Sequence, residues 1–152
     1  MDELDQRILD ALQYDFPLNE RPFDLLAAGL GIDVAELWAR VERMRHDGTI
    51  RRLGASLNSR KLGFSSTLAA VSVEPDRVDR AAEVVGRYDE VTHSYLRDHR
   101  FNIWFTVIAR DAEKIEAILE EIRAALSLPS SAVLNLPMKR VFKLDARFKT
   151  QR

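Results

Sequence analysis

The sequence contains no cysteine, which excludes disulfide frameworks, thiolate zinc sites, iron–sulfur clusters and thiol nucleophiles. Glycine is scarce as well. Six glycines among 152 residues leave little room for a phosphate-binding loop, so no nicotinamide, flavin, thiamine or pyridoxal cofactor is indicated. No apolar run approaches the ~20 residues that a membrane-spanning helix needs. Because the chain opens on the acidic stretch Met1-Asp2-Glu3 rather than on a signal peptide, we expect a cytoplasmic protein with no membrane partner.

The net charge of −1 conceals a difference between two parts of the chain. Residues 1–50 carry five basic and eleven acidic side chains, a net charge of −6. Residues 51–152 carry 18 basic and 13 acidic side chains, and much of the excess lies in 51–61 and 139–152. An anionic partner is therefore expected to bind the second part of the chain.

The first part of the chain predicts three short helices. Two prolines separate the first helix from the second, because proline interrupts a continuous helix. Leu37, Val41 and Met44 recur at helical spacing and form the predicted buried stripe of the third helix. Residues 50–57 are typical of a short β wing. The segment 1–57 thus predicts an N-terminal winged helix-turn-helix domain.

The remainder, 58–152, alternates between strand and helix patterns and ends in a basic tail. Its order is β-α-β-β-α-β, which predicts a ferredoxin-like domain and places the whole chain in the α+β class. Both helices are expected on one face of an antiparallel sheet, and a partner subunit or a ligand on the other. The predicted strands lie at 65–73, 91–97, 101–109 and 131–136, and the predicted helices are centred on 78–85 and 115–122.

A winged helix-turn-helix followed by such a βαββαβ module resembles the Lrp/AsnC family of transcription regulators, whose second domain is an effector domain. Several segments are more similar to siroheme decarboxylases within that superfamily. The form His99-Arg100-Phe101-Asn102-Ile103-Trp104-Phe105 resembles the A-type subunit, which pairs in this family with a B-type subunit as a heterodimer. The other segments that carry the resemblance lie at 15–23, 48–55, 60–63, 91–95 and 136–143.

The resemblance implies an enzyme of haem or haem d1 biosynthesis. Such enzymes are carbon–carbon lyases that remove CO2 from the C12 and C18 acetate groups of siroheme, giving 12,18-didecarboxysiroheme. The resemblance implies no external cofactor, since the iron tetrapyrrole is itself the substrate. Whether the chain acts alone or only with a B-type partner stays open. A third hypothesis, in which the chain only completes the fold of a catalytic B-type subunit, also stays open.

Candidate site residues follow from strand alternation and charge. His93, Tyr95 and Arg97 share one face of a predicted strand, and three polar side chains there are poor core material. We expect His93 to be the catalytic acid, because imidazole exchanges a proton near neutrality, with Tyr95 assisting. The iron could be ligated by His93 or His99, and no separate metal site is indicated. The expected substrate-binding residues are Arg51, Arg52, Arg97, His99, Arg100, Trp104, Lys139 and Arg140.

The alternative function is a DNA-binding regulator of the Lrp/AsnC type with a small molecule or haem as its effector. A recognition helix presents Arg, Lys, Asn or Gln to base edges and cations to phosphates. Arg40, Arg43 and Arg45 of the third helix could contact phosphates, but its other positions outside the buried stripe offer no base-reading residue, and the acidic charge of 1–50 would repel a duplex. We therefore expect no nucleic-acid partner. The positions of that helix away from its buried stripe include Val34, Ala35, Trp38, Ala39 and Glu42.

Overall fold

A computed structural model describes residues 1–150, which divide into two compact units. Met1–Ala55 and the segment from Lys143 onward form the first unit, and Ser56–Phe142 form the second. No helix in the described part of the chain is long and apolar enough to cross a bilayer. In chain order the helices and strands are α1 (Glu3–Tyr14), α2 (Pro22–Leu30), α3 (Val34–His46), β1 (Ser65–Val71), α4 (Val78–Val85), β2 (Val91–Leu96), β3 (Ile103–Ala109), α5 (Ala112–Ala125) and β4 (Val133–Pro137).

The first unit is a helix-turn-helix module around a small apolar core. Asp2 caps α1 through a reciprocal capping box with Asp5, which satisfies backbone amides at the helix start. Gly31 ends α2 in the left-handed conformation at φ 74°, where a side chain would be strained. The stripe predicted for the third helix is confirmed. The buried core residues are Ile8, Leu26, Ala27, Leu37, Val41 and Met44.

The β wing predicted at 50–57 is not a strand in the structure. The backbone N–H of Ile50 donates to the carbonyl of Met44 at 2.8 Å, so this residue closes the end of α3 instead. An isolated extended segment has no ladder of backbone hydrogen bonds to hold it, and no strand among the described residues of this unit pairs with it. Arg51 and Arg52 consequently lie on an exposed, irregular segment.

The second unit confirms the predicted β-α-β-β-α-β order. Its four antiparallel strands are arranged β2-β3-β1-β4, so the two central strands are not consecutive in sequence. Helices α4 and α5 cover one face, where the alternate residues of β3 are buried. The core between helices and sheet includes Ala69, Val71, Ile103, Phe105, Val107, Ile115, Ile118 and Ile122.

The two units differ from the predicted division of the chain at 57/58. The C-terminal segment from Lys143 onward belongs to the first unit, although the sequence assigned it to the second domain. Gln13 and Phe148 exchange two hydrogen bonds, with the side-chain amide donating at 3.1 Å and the backbone N–H at 3.2 Å. The backbone N–H of Thr150 donates to Asp10 Oδ1 at 2.9 Å. Part of the basic tail is therefore tied to the acidic helical unit, an arrangement that opposite charges favour.

Candidate functional site

The face of the sheet opposite α4 and α5 carries the candidate site. On this open face the strand register places His93 beside Thr106, Thr106 beside Leu68, and Leu68 beside Leu136. Leu68 and Leu136 are 44% and 45% exposed, so two neighbouring leucines leave a continuous apolar surface on this face. The face thus combines an apolar floor with a polar edge along β2. A second row contains Tyr95, Trp104, Ala70 and Leu134.

His93 is held between two hydroxyl groups. A β-bulge between Val91 and His93 leaves Thr92 without a partner in the strand register. Thr92 Oγ1 then lies 2.9 Å from His93 Nδ1, and Thr106 Oγ1 lies 3.2 Å from His93 Nε2. Since a hydroxyl both donates and accepts, these contacts accommodate a proton on either ring nitrogen. The ring is fixed in position while its tautomer stays free to change.

The hairpin that joins β2 to β3 is built on backbone hydrogen bonds. Arg97 N–H donates to the carbonyl of Asn102 at 2.8 Å. The side chain of Asn102 donates to the carbonyl of Val73 at 2.8 Å and accepts from its N–H at 3.1 Å. Within the turn, Phe101 N–H donates to His99 Nδ1 at 3.1 Å. These bonds fix the hairpin to the end of β1 and orient the side chains it carries.

Cationic groups lie against aromatic rings at this end of the sheet. The guanidinium carbon of Arg97 lies 5.9 Å from the centroid of the Trp104 ring, and that of Arg100 lies 5.4 Å from the Phe101 ring. Trp104 Nε1–H donates to the carbonyl of Phe101 at 2.7 Å, which fixes the indole. The His93 and Tyr95 rings are 5.6 Å apart. The structure therefore gathers six predicted site residues on one surface, namely His93, Tyr95, Arg97, His99, Arg100 and Trp104.

Lys139 and Arg140 lie elsewhere on the second unit. They follow β4, which forms the opposite edge of the sheet from β2. The register also places the end of β4 beside Thr67, whereas the hairpin adjoins Val71 at the other end of β1. The structure does not gather these two cations with the hairpin. The other two predicted cations, Arg51 and Arg52, are exposed in the first unit.

The arginines of α3 are engaged within the helical unit. Arg40 donates to Asp2, Asp5 and Glu36 at 2.7, 2.8 and 3.0 Å. Arg43 also donates to Asp5, at 2.7 Å. Farther along the helix, Arg45 donates to Glu42 at 2.8 Å. The positive charge of α3 is thus met by carboxylates of the same unit, and little remains for an external phosphate.

Asp5 is the buried centre of this ion-pair cluster, with 1% of its surface exposed. Burial by itself raises the pKa of this carboxyl, but hydrogen bonds from the backbone of Asp2 and from Arg43 and Arg40 outweigh it and lower the pKa to about 2. Hydrogen bonds to the carboxylates of Asp2, Asp5 and Glu36 raise the pKa of Arg40. The cluster borders an open cavity of about 560 Å³, whose charged lining is already paired. It is a structural feature of the helix-turn-helix unit.

Four residues of this face were not among those predicted from the sequence, namely Thr92, Thr106, Leu68 and Leu136. Strand alternation could have identified Thr106, Leu68 and Leu136, because alternate residues of a strand lie on the same face of the sheet. In β3, for example, residues 104, 106 and 108 lie on the face opposite Phe105. The hydroxyl contact of Thr92 depends on the bulge, which leaves no mark in the sequence pattern. Within the described residues no group of three or more acidic or histidine side chains could hold a metal ion.

Comparison with protein families covers most of the chain. Residues 5–51 match the model of the siroheme decarboxylase NirDL-like HTH domain, and residues 61–143 match that of the AsnC-like ligand binding domain. The siroheme decarboxylase alpha subunit of Nitratidesulfovibrio vulgaris is 43% identical over 98% of this chain and 83% of its own length. The siroheme decarboxylase NirD subunit of Pseudomonas aeruginosa is 37% identical over 97% of this chain and 96% of its own length.

Solved structures share the fold. The crystal structure of the siroheme decarboxylase NirDL in complex with an iron-uroporphyrin III analogue superposes with a TM-score of 0.71 and 28% identity, over 96% of this chain and 48% of that one. An AsnC family transcriptional regulator from Agrobacterium tumefaciens superposes with a TM-score of 0.74 and 25% identity, over 97% and 96% of the two chains. The fold is therefore common to decarboxylases and regulators, and residues of the site must distinguish them.

Proposed function

This chain belongs to the siroheme decarboxylase family, and on that premise we propose that it is a carboxy-lyase subunit acting on the acetate groups of siroheme. The observation that carries the proposal is the open sheet face, where His93, Tyr95 and Trp104 lie together with a cationic hairpin. Such a face offers a polycarboxylated macrocycle both apolar contact and charge-assisted hydrogen bonds.

His93 is the proposed acid. Loss of CO2 from an acetate group breaks the C–C bond and leaves its electron pair on the substrate, so the product methyl group must gain one proton. Protonation of the adjacent pyrrole carbon can provide the electron sink. The two hydroxyl contacts of His93, at 2.9 and 3.2 Å, allow either ring nitrogen to hold the proton, which suits donation and recovery. Tyr95, 5.6 Å away between ring centroids, is proposed to assist.

Carboxylates that are not lost need anchors. Arg97 and Arg100 are proposed to hold them, because a guanidinium binds a carboxylate through two parallel hydrogen bonds. Trp104 is proposed to contact the macrocycle. The strand β4, which precedes Lys139 and Arg140, lies three strand spacings from β2, roughly 14 Å, a breadth that a tetrapyrrole with extended side chains can span. They are proposed to meet carboxylates on its far side. For Arg51 and Arg52 the same role remains a prediction from the sequence.

The regulator function is less well supported. DNA-binding proteins gain affinity by neutralising backbone phosphates with free cations. Here Arg40, Arg43 and Arg45 are each paired with a carboxylate of the same unit. The exposed Trp38 is no usual reader of base edges. We propose that the helix-turn-helix is retained as a structural module.

A second subunit is part of the proposal. Stutzerimonas stutzeri has both a siroheme decarboxylase NirD subunit and a NirG subunit, and these are 35% and 36% identical to this chain. We propose that a homologous B-type chain forms a heterodimer with this one, and that full activity needs both.

Anaerobic incubation with siroheme tests the activity. The chain is incubated alone and with its B-type partner, and the tetrapyrrole is followed by mass spectrometry. We expect two successive losses of CO2 in the presence of both subunits. Unchanged siroheme in both incubations would contradict the proposed function, whereas full activity of the partner alone would leave this chain only a structural role.

A further inference from the structure

The two histidines of the site have hydrogen-bond partners of different kinds. His93 faces hydroxyl groups at both ring nitrogens, whereas His99 Nδ1 faces a backbone amide, the N–H of Phe101, at 3.1 Å. A backbone amide can only donate a hydrogen bond. Nδ1 of His99 must therefore accept, and it carries no proton. The tautomer of His99 is therefore assigned from this hydrogen bond.

From this bond we infer that His99 is a fixed hydrogen-bond donor to a substrate carboxylate and not a ligand of the substrate iron. In a neutral imidazole with a bare Nδ1, the proton resides on Nε2. An Nε2–H group has no lone pair to offer a metal, and Nδ1 is already engaged by Phe101. The cationic ring cannot make this contact at all, because it carries an N–H at both nitrogens. This assignment rests on the proposed function, since it names the role of His99 at that same site.

The hairpin holds the ring in that state. His99 N–H donates to the carbonyl of Arg97 at 3.0 Å, so both the backbone and the side chain of His99 are tied into the turn. Its ring stacks on Phe101 with an interplanar angle of 27° and a centroid distance of 6.2 Å. The Trp104 ring is 6.4 Å away. His99 is nevertheless exposed, so Nε2–H can meet a ligand at the Trp104 side of the open face.

The neighbouring charges favour a carboxylate as that ligand. Arg97, Asp98 and Arg100 surround His99 in the hairpin; all three are exposed, and the two guanidinium groups outweigh the one carboxylate, which leaves a net charge of +1. A neutral N–H donor between two guanidinium groups recognises an anion without adding a third positive charge. The same arrangement disfavours approach of a metal cation. By contrast, His93 can present an unprotonated nitrogen in either tautomer. If one of these two histidines ligates the iron, it is therefore His93.

The tautomer is measured directly by nitrogen-15 NMR of the ligand-free full chain at neutral pH. Long-range couplings between ring nitrogens and carbon-bound protons distinguish the two neutral forms. We expect His99 to show a protonated Nε2 and a bare Nδ1. A protonated Nδ1 would overturn the inference, whatever the chain does with siroheme.

Two substitutions distinguish His99 as a hydrogen-bond donor from His99 as an iron ligand. The probe is iron-uroporphyrin III, and its binding is followed by absorbance titration of the chain alone and of the chain with its B-type partner. In His99→Asn the amide oxygen can still accept from Phe101, but nothing replaces Nε2–H. In His99→Gln the amide NH2 can reach the Nε2 position. We expect His99→Asn to weaken binding about ten- to a hundredfold without changing the iron spectrum, and His99→Gln to retain more affinity.

The outcomes distinguish this inference from the proposed function. A changed spectrum of the bound iron in His99→Asn would show loss of a ligand and overturn the inference, as would an unchanged affinity. In both cases the wild-type chain still binds the probe, so the proposed function stands. If the wild-type chain binds the probe neither alone nor with its B-type partner, the inference and the proposed function are both overturned.

Discussion

Thr106 Oγ1 lies 3.2 Å from His93 Nε2, and the two residues are register partners on adjacent strands of the open face. Because the contact comes from a neighbouring strand, it positions the imidazole independently of the bulge at Thr92. We expect Thr106→Val to lower the decarboxylation rate about three- to tenfold, the value of one hydrogen bond, while the affinity for siroheme is unchanged.

The pH profile separates this positioning role from a general packing role. Loss of a hydroxyl contact to His93 should shift the pH at which the rate is half-maximal, whereas a packing defect should lower the rate equally at every pH. Thr106→Ser keeps the hydroxyl and is the matched control. An unshifted profile in Thr106→Val, with a rate equal to that of Thr106→Ser, would show that the contact is not used.

His93→Ala tests the acid itself. Removal of the imidazole should abolish turnover, because the substrate then lacks its proton donor, while tetrapyrrole binding stays within about tenfold of the wild type. Turnover is measured by loss of CO2 in mass spectra and binding by absorbance titration. Wild-type turnover in His93→Ala would place the acid elsewhere, in this chain or in the partner.

Removal of the hairpin cations tests the carboxylate anchors. Arg97→Ala and Arg100→Ala should each weaken siroheme binding roughly ten- to a hundredfold, and the loss should diminish as salt rises. Arg110→Ala is the matched control, since Arg110 is an exposed arginine paired with Asp111 beyond β3. Equal losses in all three variants would indicate a general effect of net charge rather than a site.

The Asp5 cluster makes the helical unit acid-sensitive. Asp5 is held at a pKa of about 2, below its ordinary value of 3.8, so its ion pairs stabilise the folded state above pH ~4 and that contribution is lost as the pH falls toward 2. Asp5→Asn should cost about 1–3 kcal/mol at neutral pH and flatten this acid dependence.

Urea unfolding of the full chain, followed by the fluorescence of Trp38 and Trp104, measures both effects. Asp24→Asn is the control, because Asp24 forms an exposed pair with Arg21 and should cost less than about 0.5 kcal/mol. An acid dependence that is as steep in Asp5→Asn as in the wild type would assign the sensitivity to other carboxylates.

The ion pairs of α3 also predict weak binding to DNA. Since Arg40, Arg43 and Arg45 are already paired, the chain should show no saturable binding to duplex DNA at physiological salt. Fluorescence anisotropy with a labelled duplex measures this. Tight, sequence-dependent binding would favour the regulator function instead.

The sequence by itself determined the order of the elements and the faces they bury. Periodicity is a local property, so the stripe of Leu37, Val41 and Met44 and the alternation along β2 and β3 could be recognised without coordinates. It also placed His93 and Tyr95 on one face, because side chains two apart in a strand point the same way.

Only the tertiary structure decided which of these residues meet. Strand order depends on pairing between distant segments, and it places the hairpin at one edge and Lys139 and Arg140 at the other. The prediction of a β wing at 50–57 was wrong, because a short extended segment becomes a strand only when a neighbouring strand pairs with its backbone hydrogen-bonding groups. The contacts of His93 with Thr106 and of His99 with Phe101 depend on strand register and turn geometry, which the pattern of residues in the sequence does not predict.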